Sequence, residues 1–330
     1  MAERALITGG AGFIGSRIAE KLLDRGTDVT LLDNFSRTTP DDRLQALLER
    51  VRVVEHDLTR PISDNVVPGP HDHVYHLAAI VGTRRCAETP HEVLRTNLLA
   101  TVNVLDWCVS HGPERVFLSS TSEVMDGALR VGIAETPVPE TAPAVIPDLT
   151  LPRSSYAVSK LASESLFLHF GSRFRFATRI VRYHNVYGPR MGHDHVIPQF
   201  VDRILAEMDP FPIYGGYQTR AFCFVDDAVD ATLALMDLPT PDPLTVNIGN
   251  DREPMRIVDM ASRLFDVAGV SPTLDIHPPP AGSPESRLPD LGRLRELTGY
   301  EPRIDLETGL RETYHWYRAD HAKVAQPVQG

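Results

Sequence analysis

Tyr156 and Lys160 are the residues of this sequence best suited to move a proton, because they lie four positions apart. That spacing puts both side chains on one face of a helix. A tyrosine titrates at about pH 10 in water, and a neighbouring ammonium group lowers that pKa by favouring the phenolate. Such a pair also occurs as ordinary decoration on helix surfaces, so the surrounding motifs decide. Candidates to share the proton are the hydroxyl side chains that end an apolar stretch, Ser119, Ser120, Thr121 and Ser122.

A glycine-rich turn near the start of the chain fits the phosphates of a dinucleotide. Gly9, Gly12 and Gly15 follow the apolar residues 5–8. Gly12 has no side chain to keep a pyrophosphate from the backbone, and the amides at the start of the next helix favour its charge. Asp33 ends a second apolar run about 20 residues further on, where dinucleotide-binding folds place the carboxylate that binds the adenosine ribose. We predict NAD, because Asp33 would repel the 2′-phosphate of NADP.

Strands and helices that alternate along the chain must position these residues. This order predicts an α/β fold with a Rossmann-like, doubly wound parallel sheet and a smaller C-terminal α/β substrate domain. Ligands then bind at the carboxyl ends of the strands, where the motifs above lie. The predicted strands are residues 5–8, 29–33, 51–54, 73–79, 116–120 and 176–182, and the main predicted helices are 15–26, 92–111 and 156–170.

The domain organisation follows from a change of character along the chain. We predict a dinucleotide-binding domain over residues 1–189, to which a segment at about 218–250 returns, and mainly a substrate domain over 190–330. The proline-rich residues 126–155 are predicted to form a surface loop near the site.

Composition narrows the function further. The chain has 330 residues and a formal net charge of −11, so binding to nucleic acid is not expected and an anionic substrate needs local arginines. The three cysteines form no closely spaced metal or redox motif, which favours a reducing compartment. No apolar run approaches the roughly 20 residues that span a bilayer. Because the first strand begins almost at once, no signal peptide is expected, and we predict a cytoplasmic protein.

Motifs along nearly the whole chain make it resemble an extended short-chain dehydrogenase/reductase of the nucleotide-sugar epimerase, dehydratase and decarboxylase family. Together these motifs are specific for the family but not for one reaction. They are Thr8 to Gly15, Asp57-Leu58, His76 to Ala79, Asn97, Ser119 to Val124, Tyr156 to Lys160, Arg182 to Arg190, Gln218 to Phe222, Val225 to Asp227 and Val246 to Asn250.

The resemblance implies a mechanism for this family. Tyr156 would take the proton of the sugar 4-hydroxyl, Thr121 would hydrogen-bond that hydroxyl, and Lys160 would hold the nicotinamide ribose. Hydride would pass from sugar carbon 4 to NAD, which gives a transient 4-keto sugar. The further cofactor contacts that the resemblance implies are Phe13, Ile14, Asn34, Asp57, Leu58, Leu77, Ala78, Ala79, Asn97 and Ser119.

Glu123 bears on what happens to the 4-keto sugar. Thr121-Ser122-Glu123 resembles the catalytic triplet of UDP-glucuronate decarboxylases and some dehydratases, in which the acid lies near sugar carbons 5 and 6. Two stretches depart from the decarboxylases, residues 80–86 and Met125-Asp126. We therefore expect 4-epimerisation of a UDP-sugar or UDP-uronate, with decarboxylation or dehydration as alternatives. A non-catalytic NAD-binding regulator is a remote alternative, because it would be expected to lack Tyr156 or Lys160.

The substrate contacts also come from the resemblance. Arg220 is the first candidate to bind the diphosphate, since a guanidinium meets phosphate oxygens in a bidentate manner, and Arg287 is the second. Arg84 would meet an acidic sugar substituent or be an exposed loop arginine. The further candidates are Gly82, Thr83, Asn185 and Val196.

Two further expectations concern metals and partners. Residues 192–195 contain two histidines and an acid, but no metal is predicted because side chains so close in sequence rarely converge on one ion. A homodimer is expected, because in many relatives the helices at 92–111 and after Tyr156 form a four-helix bundle between two subunits.

Overall fold

The computed structural model describes residues 2–38, 41–280 and 282–325. Its strands are β1 (Arg4–Thr8), β2 (Asp28–Asp33), β3 (Arg52–Glu55), β4 (His73–His76), β5 (Arg115–Thr121), β6 (Ala177–Tyr183), β7 (Val186–Tyr187), β8 (Phe211–Tyr214), β9 (Thr219–Arg220), β10 (Cys223–Phe224), β11 (Leu244–Ile248), β12 (Met255–Arg256), β13 (Leu274–His277) and β14 (Ser286–Arg287). Its helices are α1 (Phe13–Asp24), α2 (Asp42–Leu48), α3 (Thr83–Glu88), α4 (Pro90–His111), α5 (Glu123–Arg130), α6 (Ser154–Phe174), α7 (Val196–Leu205), α8 (Val225–Met236), α9 (Ile257–Ala268), α10 (Gly292–Thr298) and α11 (Leu306–Ala325).

Seven strands form one sheet in the order β11-β6-β5-β4-β1-β2-β3, and every pairing in it is parallel. The order reverses at β1, which is the crevice where doubly wound sheets bind their ligands. The predicted Rossmann-like sheet is confirmed. β11 joins this sheet beside β6, although it lies about 60 residues after β6 in the chain.

Apolar side chains cover both faces of the sheet, as a parallel sheet requires. On one face, Ile18 of α1 belongs to a large buried cluster that continues through Phe200 of α7 to Met260 of α9. On the other face, Val104 and Phe167 bring α4 and α6 onto the sheet. Both faces are therefore sealed, and the carboxyl edge of the sheet is left for the site.

The later residues add three small sheets to this frame. Their orders are β10-β7, β12-β9-β14 and β13-β8. β14 runs parallel to β9 with Arg287 opposite Arg220, so two predicted substrate residues are register partners. No helix among the described residues is long and apolar enough to cross a membrane.

Three elements differ from the sequence-based prediction. The predicted strand over 73–79 ends at His76, and the region around Arg84 is not loop but helix α3. Helix α5 occupies the start of the loop predicted over 126–155 and buries Val124 and Met125. Both missed helices have eight residues or fewer, which is too short for a helical period to show clearly in sequence.

Candidate active site

Tyr156 and Lys160 lie on α6 below the carboxyl end of β5, as their spacing predicts. Tyr156 is partly buried in the first turn of the helix, and Lys160 is buried one turn later. The Lys160 Nζ donates a hydrogen bond to the Ser119 carbonyl oxygen at 2.6 Å and lies 6.0 Å from the centre of the Tyr156 ring. The pair and the end of β5 therefore form one polar unit.

Burial dominates the electrostatics of this pair. Burial raises the pKa of Tyr156 above its ordinary value, the charge of Glu123 raises it further, and a hydrogen bond with Thr121 opposes both. Burial also lowers the pKa of Lys160 to about 8, against the attraction of Glu164. Burial therefore favours the neutral phenol of Tyr156 in the protein alone, and the expected lowering of that pKa by Lys160 together with the nicotinamide ring stays a prediction. In the structure, the Lys160 ammonium group donates to the Ser119 carbonyl oxygen.

The glycine turn leaves room that any side chain would fill. Gly9 has a φ of +68°, and a Cβ there would lie 2.7 Å from the Ala78 backbone nitrogen. A Cβ at Gly15 would lie 2.3 Å from the Gly9 carbonyl oxygen. The turn therefore packs directly against the exit of β4, and the start of α1 packs against the turn. This cradle of backbone groups fits the pyrophosphate of a dinucleotide.

Asp33 stands at the end of β2 beside that cradle. Its Oδ2 accepts a hydrogen bond from the Ala11 backbone nitrogen at 3.0 Å, and its Oδ1 accepts one from the Phe35 backbone nitrogen at 2.9 Å. Each carboxylate oxygen has a further lone pair to accept a ribose hydroxyl. Asp33 and the glycine turn together fit NAD.

Two predicted cofactor residues have structural duties in this arrangement. The Asn97 side chain accepts from the Ile80 backbone nitrogen at 2.7 Å and donates to the Ile80 carbonyl and to Ser159, so it supports the segment after β4. The Asn34 side chain accepts from the backbone and hydroxyl of Ser36 and forms a local turn. The structure thus gives both side chains partners within the protein.

The remaining predicted cofactor residues lie along the same edge of the sheet. Asp57 follows β3, and hydrogen bonds from Thr59 hold its pKa below the ordinary value. Those that line the turn, the segment after β3, the exit of β4 and β5 are Phe13, Ile14, Leu58, Leu77, Ala79 and Ser119.

The substrate side of Tyr156 is made of charged side chains. The Glu123 carboxylate accepts two hydrogen bonds from Arg153, at 2.6 and 3.3 Å. Asp126 accepts hydrogen bonds from two nitrogens of Arg287, one of them at 3.2 Å. The two pairs are joined, because an Arg287 nitrogen lies 3.8 Å from a Glu123 oxygen. We call these four residues the charge cluster.

Glu123 stays ionised in the charge cluster. Burial by itself would raise the pKa of Glu123, but the charges of Arg153 and Arg287 outweigh it, and the pKa lies below its ordinary value. Sequence reasoning missed Arg153 as a site residue. Its position three residues before Tyr156, at the start of the same helix, is the signal that could have found it.

Arg220 is buried behind the charge cluster and is not the free guanidinium that its position in the sequence suggests. Its two terminal nitrogens donate to the backbone carbonyls of Thr219 and Pro284 and to the Ser283 hydroxyl. Burial, and next the charge of Arg287, lower the pKa of Arg220 to about 9. Among the ion pairs of the described residues, none includes Arg220. An anion that arrived here would meet a cation with no carboxylate partner.

The other predicted substrate residues lie after β5 and β6, at α3 and at the start of α7. Asn185 has a positive φ and donates to the Ala221 carbonyl at 3.0 Å. Gly82, with a φ of +110°, packs against Asp194 at the start of α3. Arg84 is a largely exposed helical residue that lies 3.6 Å from Asp194. Thr83 begins α3, Val196 begins α7, and Ser122 is buried at the end of β5 beside Thr121.

The histidine-rich loop at 192–195 spreads its side chains apart. His193 lies 2.9 Å from Asp202, whereas Asp194 faces Arg84. His195 is turned inward, and burial lowers its pKa with Arg37 adding to the effect. Within the described residues, no group of three His, Cys, Asp or Glu side chains is placed to hold a metal ion.

Comparisons with known proteins find relatives along nearly the whole chain. The chain is 35% identical to the UDP-N-acetyl-alpha-D-glucosaminuronate decarboxylase of Bacillus cytotoxicus, over 96% of this chain and 98% of that protein. It is 33% identical to the UDP-glucuronic acid decarboxylase 1 of Arabidopsis thaliana, over 93% of this chain and 68% of that protein.

Solved structures also resemble the chain along nearly its whole length. The UDP-glucuronic acid 4-epimerase from Bacillus cereus, in complex with UDP-glucuronic acid and NAD, has a TM-score of 0.84 and 28% identity and covers 96% of this chain and 99% of its own. The UDP-glucose 4-epimerase of Thermotoga maritima, with UDP-glucose, has a TM-score of 0.82 and 27% identity, over 96% and 99% of the two chains.

The family model agrees with the resemblance seen in the sequence. It is described as the NAD dependent epimerase/dehydratase family, and it matches residues 5–249. The predicted Rossmann fold and NAD cofactor are confirmed. The curated relatives are decarboxylases and the solved ones are 4-epimerases, so decarboxylation gains support over the 4-epimerisation that we expected first. The chain belongs to the NAD dependent epimerase/dehydratase family of enzymes.

Proposed function

We propose that the protein oxidises carbon 4 of a UDP-linked uronic acid and releases the sugar carboxylate as carbon dioxide. The observation that carries this proposal is Glu123, an ionised carboxylate that Arg153 holds on the substrate side of Tyr156. The curated decarboxylases that resemble the chain along nearly its whole length support it.

Tyr156 begins the reaction in this proposal. Its phenolate takes the proton of the 4-hydroxyl, and Thr121 holds that oxygen. The glycine turn and Asp33 would hold NAD, which would supply a hydride acceptor for carbon 4, the return of that hydride and a positive ring that favours the phenolate. Because burial keeps Tyr156 protonated in the protein alone, the tyrosine becomes a base only in the loaded site. Lys160 positions the ribose and the proton path through its contact with Ser119.

Glu123 then acts on the oxidised sugar. The 4-ketone lies β to the carboxylate, so the bond between carbons 5 and 6 breaks and its electron pair moves into the carbonyl as carbon dioxide leaves. Carbon 5 of the resulting enolate then takes up a proton from water in place of the lost carboxylate. An ionised Glu123 near carbon 6 disfavours the charged carboxylate and favours the neutral product, and Arg153 keeps the glutamate in place. Arg220 and Asn185 are proposed to hold the diphosphate.

A second candidate is 4-epimerisation of the same class of sugar. It is favoured by the likeness to a solved UDP-glucuronic acid 4-epimerase and by Asp126, which neutralises Arg287. Both reactions pass through the same oxidised sugar and differ only in its fate. The homodimer, the cytoplasmic location, and the division into residues 1–189 and 190–330 remain proposals alongside this one.

One experiment separates these functions. The NAD-loaded protein is incubated with UDP-, GDP- and dTDP-linked sugars and uronic acids, and the products are identified by mass spectrometry and NMR. Loss of carbon dioxide from a UDP-uronate is the expected result. Unchanged mass with inverted carbon 4 would replace decarboxylation by epimerisation, and loss of water would indicate a dehydratase. Lasting conversion of NAD to NADH would contradict all three.

A further inference from the structure

We infer that Asp126 sets the charge preference of the sugar site by occupying Arg287, so that a sugar carboxylate must compete with Asp126 for this guanidinium. The inference rests on the proposed function only in that the substrate is a UDP-sugar. Asp126 acts through Arg287 and is therefore a positioning residue rather than a catalytic one.

The contact between the two side chains is bidentate and sheltered. The Arg287 Nε donates to the Asp126 Oδ1 at 3.2 Å, and a terminal nitrogen donates to the Oδ2. The side chains are only 11% and 10% exposed. Paired guanidinium and carboxylate groups with this geometry form the strongest class of protein hydrogen bonds. Arg287 is thus engaged before any sugar arrives.

Asp126 is also fixed in place by its own helix. A Cβ at the next residue, Gly127, would lie 1.8 Å from the Val145 carbonyl oxygen, so the 138–147 segment lies directly on α5. Val124 and Met125 of the same helix are fully buried. The carboxylate therefore cannot easily withdraw when a ligand enters, and it remains a competitor for Arg287.

Arg287 faces the substrate side. It is the register partner of Arg220 on neighbouring parallel strands, which places both side chains on one face of that small sheet. Its guanidinium also lies 3.8 Å from Glu123. A carboxylate on the sugar near Glu123 would therefore have Arg287 as a natural partner if Asp126 did not already hold it.

The charge cluster is balanced as it stands. Glu123 and Asp126 supply two negative charges, and Arg153 and Arg287 supply two positive ones. A uronate adds a negative charge to this balanced cluster, whereas a neutral hexose adds none. Because the groups are sheltered from water, this difference is poorly screened. Neutralising Asp126 leaves one net positive charge and makes the site selective for the acidic sugar.

The test compares binding of two ligands to the NAD-loaded protein by calorimetry. The ligands are UDP-glucuronic acid and UDP-glucose, and the variant is Asp126→Asn, which keeps the shape and one acceptor oxygen but removes the charge. We expect the ratio of the two dissociation constants to shift about tenfold toward UDP-glucuronic acid, with UDP-glucose binding changed less than twofold. Asp126→Ser, which is smaller and cannot overfill the site, should shift the ratio in the same direction.

The control is Asp226→Asn, which neutralises an aspartate paired with Arg17 away from the site and should leave the ratio unchanged. If both Asp126 variants weaken the two ligands equally, or leave the ratio at its wild-type value, Asp126 has only a structural role and the inference is wrong. If the wild-type protein binds neither UDP-sugar, the proposed function fails and takes this inference with it.

Discussion

The cofactor side and the substrate side of Tyr156 consist of different chemical groups. On the cofactor side, backbone groups and small residues form the surface, with Gly9 packed against Ala78, Gly15 packed against Gly9, and Lys160 bound to a carbonyl oxygen. On the substrate side, the same tyrosine faces the charge cluster. In the proposed function, a phosphate-bearing cofactor thus meets amides, whereas the sugar meets ionised side chains.

The difference shows where the reaction is decided. Backbone amides and a helix start bind a dinucleotide whatever happens to the substrate. In the proposed function, the charge cluster instead determines which group on the sugar is tolerated, held or expelled. Within one family, the cofactor side can therefore stay the same while the substrate side changes the product. Four experiments test this separation.

Tyr156→Phe should have the largest effect, because the tyrosine serves both sides. Without the hydroxyl, no group takes the proton of the 4-hydroxyl, and product formation should fall about 10³-fold. Phenylalanine keeps the ring, so binding of NAD and of UDP-sugar should change little. Rates are measured by mass spectrometry, and bound NAD is measured after denaturation. Full activity in this variant would overturn the whole catalytic assignment.

Glu123→Gln should damage the substrate side alone. The change removes the charge that disfavours the sugar carboxylate and leaves Arg153 without its ion-pair partner. We expect carbon dioxide release to fall about 10²-fold, while bound NAD stays at the wild-type level. If epimerisation is the real reaction, the activity of the variant should be reduced but not abolished. The two outcomes are separated by following mass and the configuration of carbon 4 in the same sample.

Asp33→Asn should damage the cofactor side alone. Asparagine lacks the negative charge that would attract the ribose hydroxyls. Its amide nitrogen also cannot accept the hydrogen bond that one Asp33 oxygen accepts from the Ala11 or Phe35 backbone nitrogen. Loss of a charge-assisted hydrogen bond predicts NAD binding about thirtyfold weaker, with UDP-sugar binding unchanged. The preference of the site for NAD over NADP should decrease as well. A variant that binds NAD normally would show that Asp33 does not contact the ribose.

The same contrast explains what could be predicted from the sequence. The cofactor side depends on short, local patterns, such as glycines three residues apart and an acid at the end of a strand, so its candidate residues and the parallel sheet could be inferred. The partners in the charge cluster lie 30 and 161 residues apart, in Glu123–Arg153 and Asp126–Arg287. No period or motif links residues so distant in the chain, and only the fold brings them together.

Arg220 and α3 show two further limits of sequence reasoning. The position of Arg220 in the chain indicated an anion-binding guanidinium, but nothing in the sequence showed that carbonyl oxygens would surround it. α3 has six residues and begins at a glycine with positive φ, so neither its length nor its start is typical of a helix. Local exceptions of this kind concentrate on the substrate side.

The smallest expected effect is on the pH dependence of stability. It should be similar on the cofactor side and the substrate side of Tyr156, because each side has one buried histidine. Burial lowers the pKa of His76, which contacts Thr8, to about 3, and it does the same to His184, which contacts Asn247. Since the folded pKa lies below the ordinary value of about 6.5, the unfolded chain binds the proton first, and stability is lost as the pH falls below that value. Each histidine should lower the free energy of unfolding by about 0.8 kcal/mol when the pH falls from 7.5 to 6.0.

Urea unfolding at these two pH values tests this with His76→Gln and His184→Gln. Both variants will be less stable at either pH, because the amide fills the space poorly, but each should lose about 0.8 kcal/mol less than wild type on acidification. Replacing the exposed His169 is the matched control and should leave the acid loss unchanged. If the two variants reduce the acid-induced loss of stability equally, water is excluded equally from the cofactor side and the substrate side. A reduction at His76 alone would mean that water reaches the substrate side and that its charges are screened.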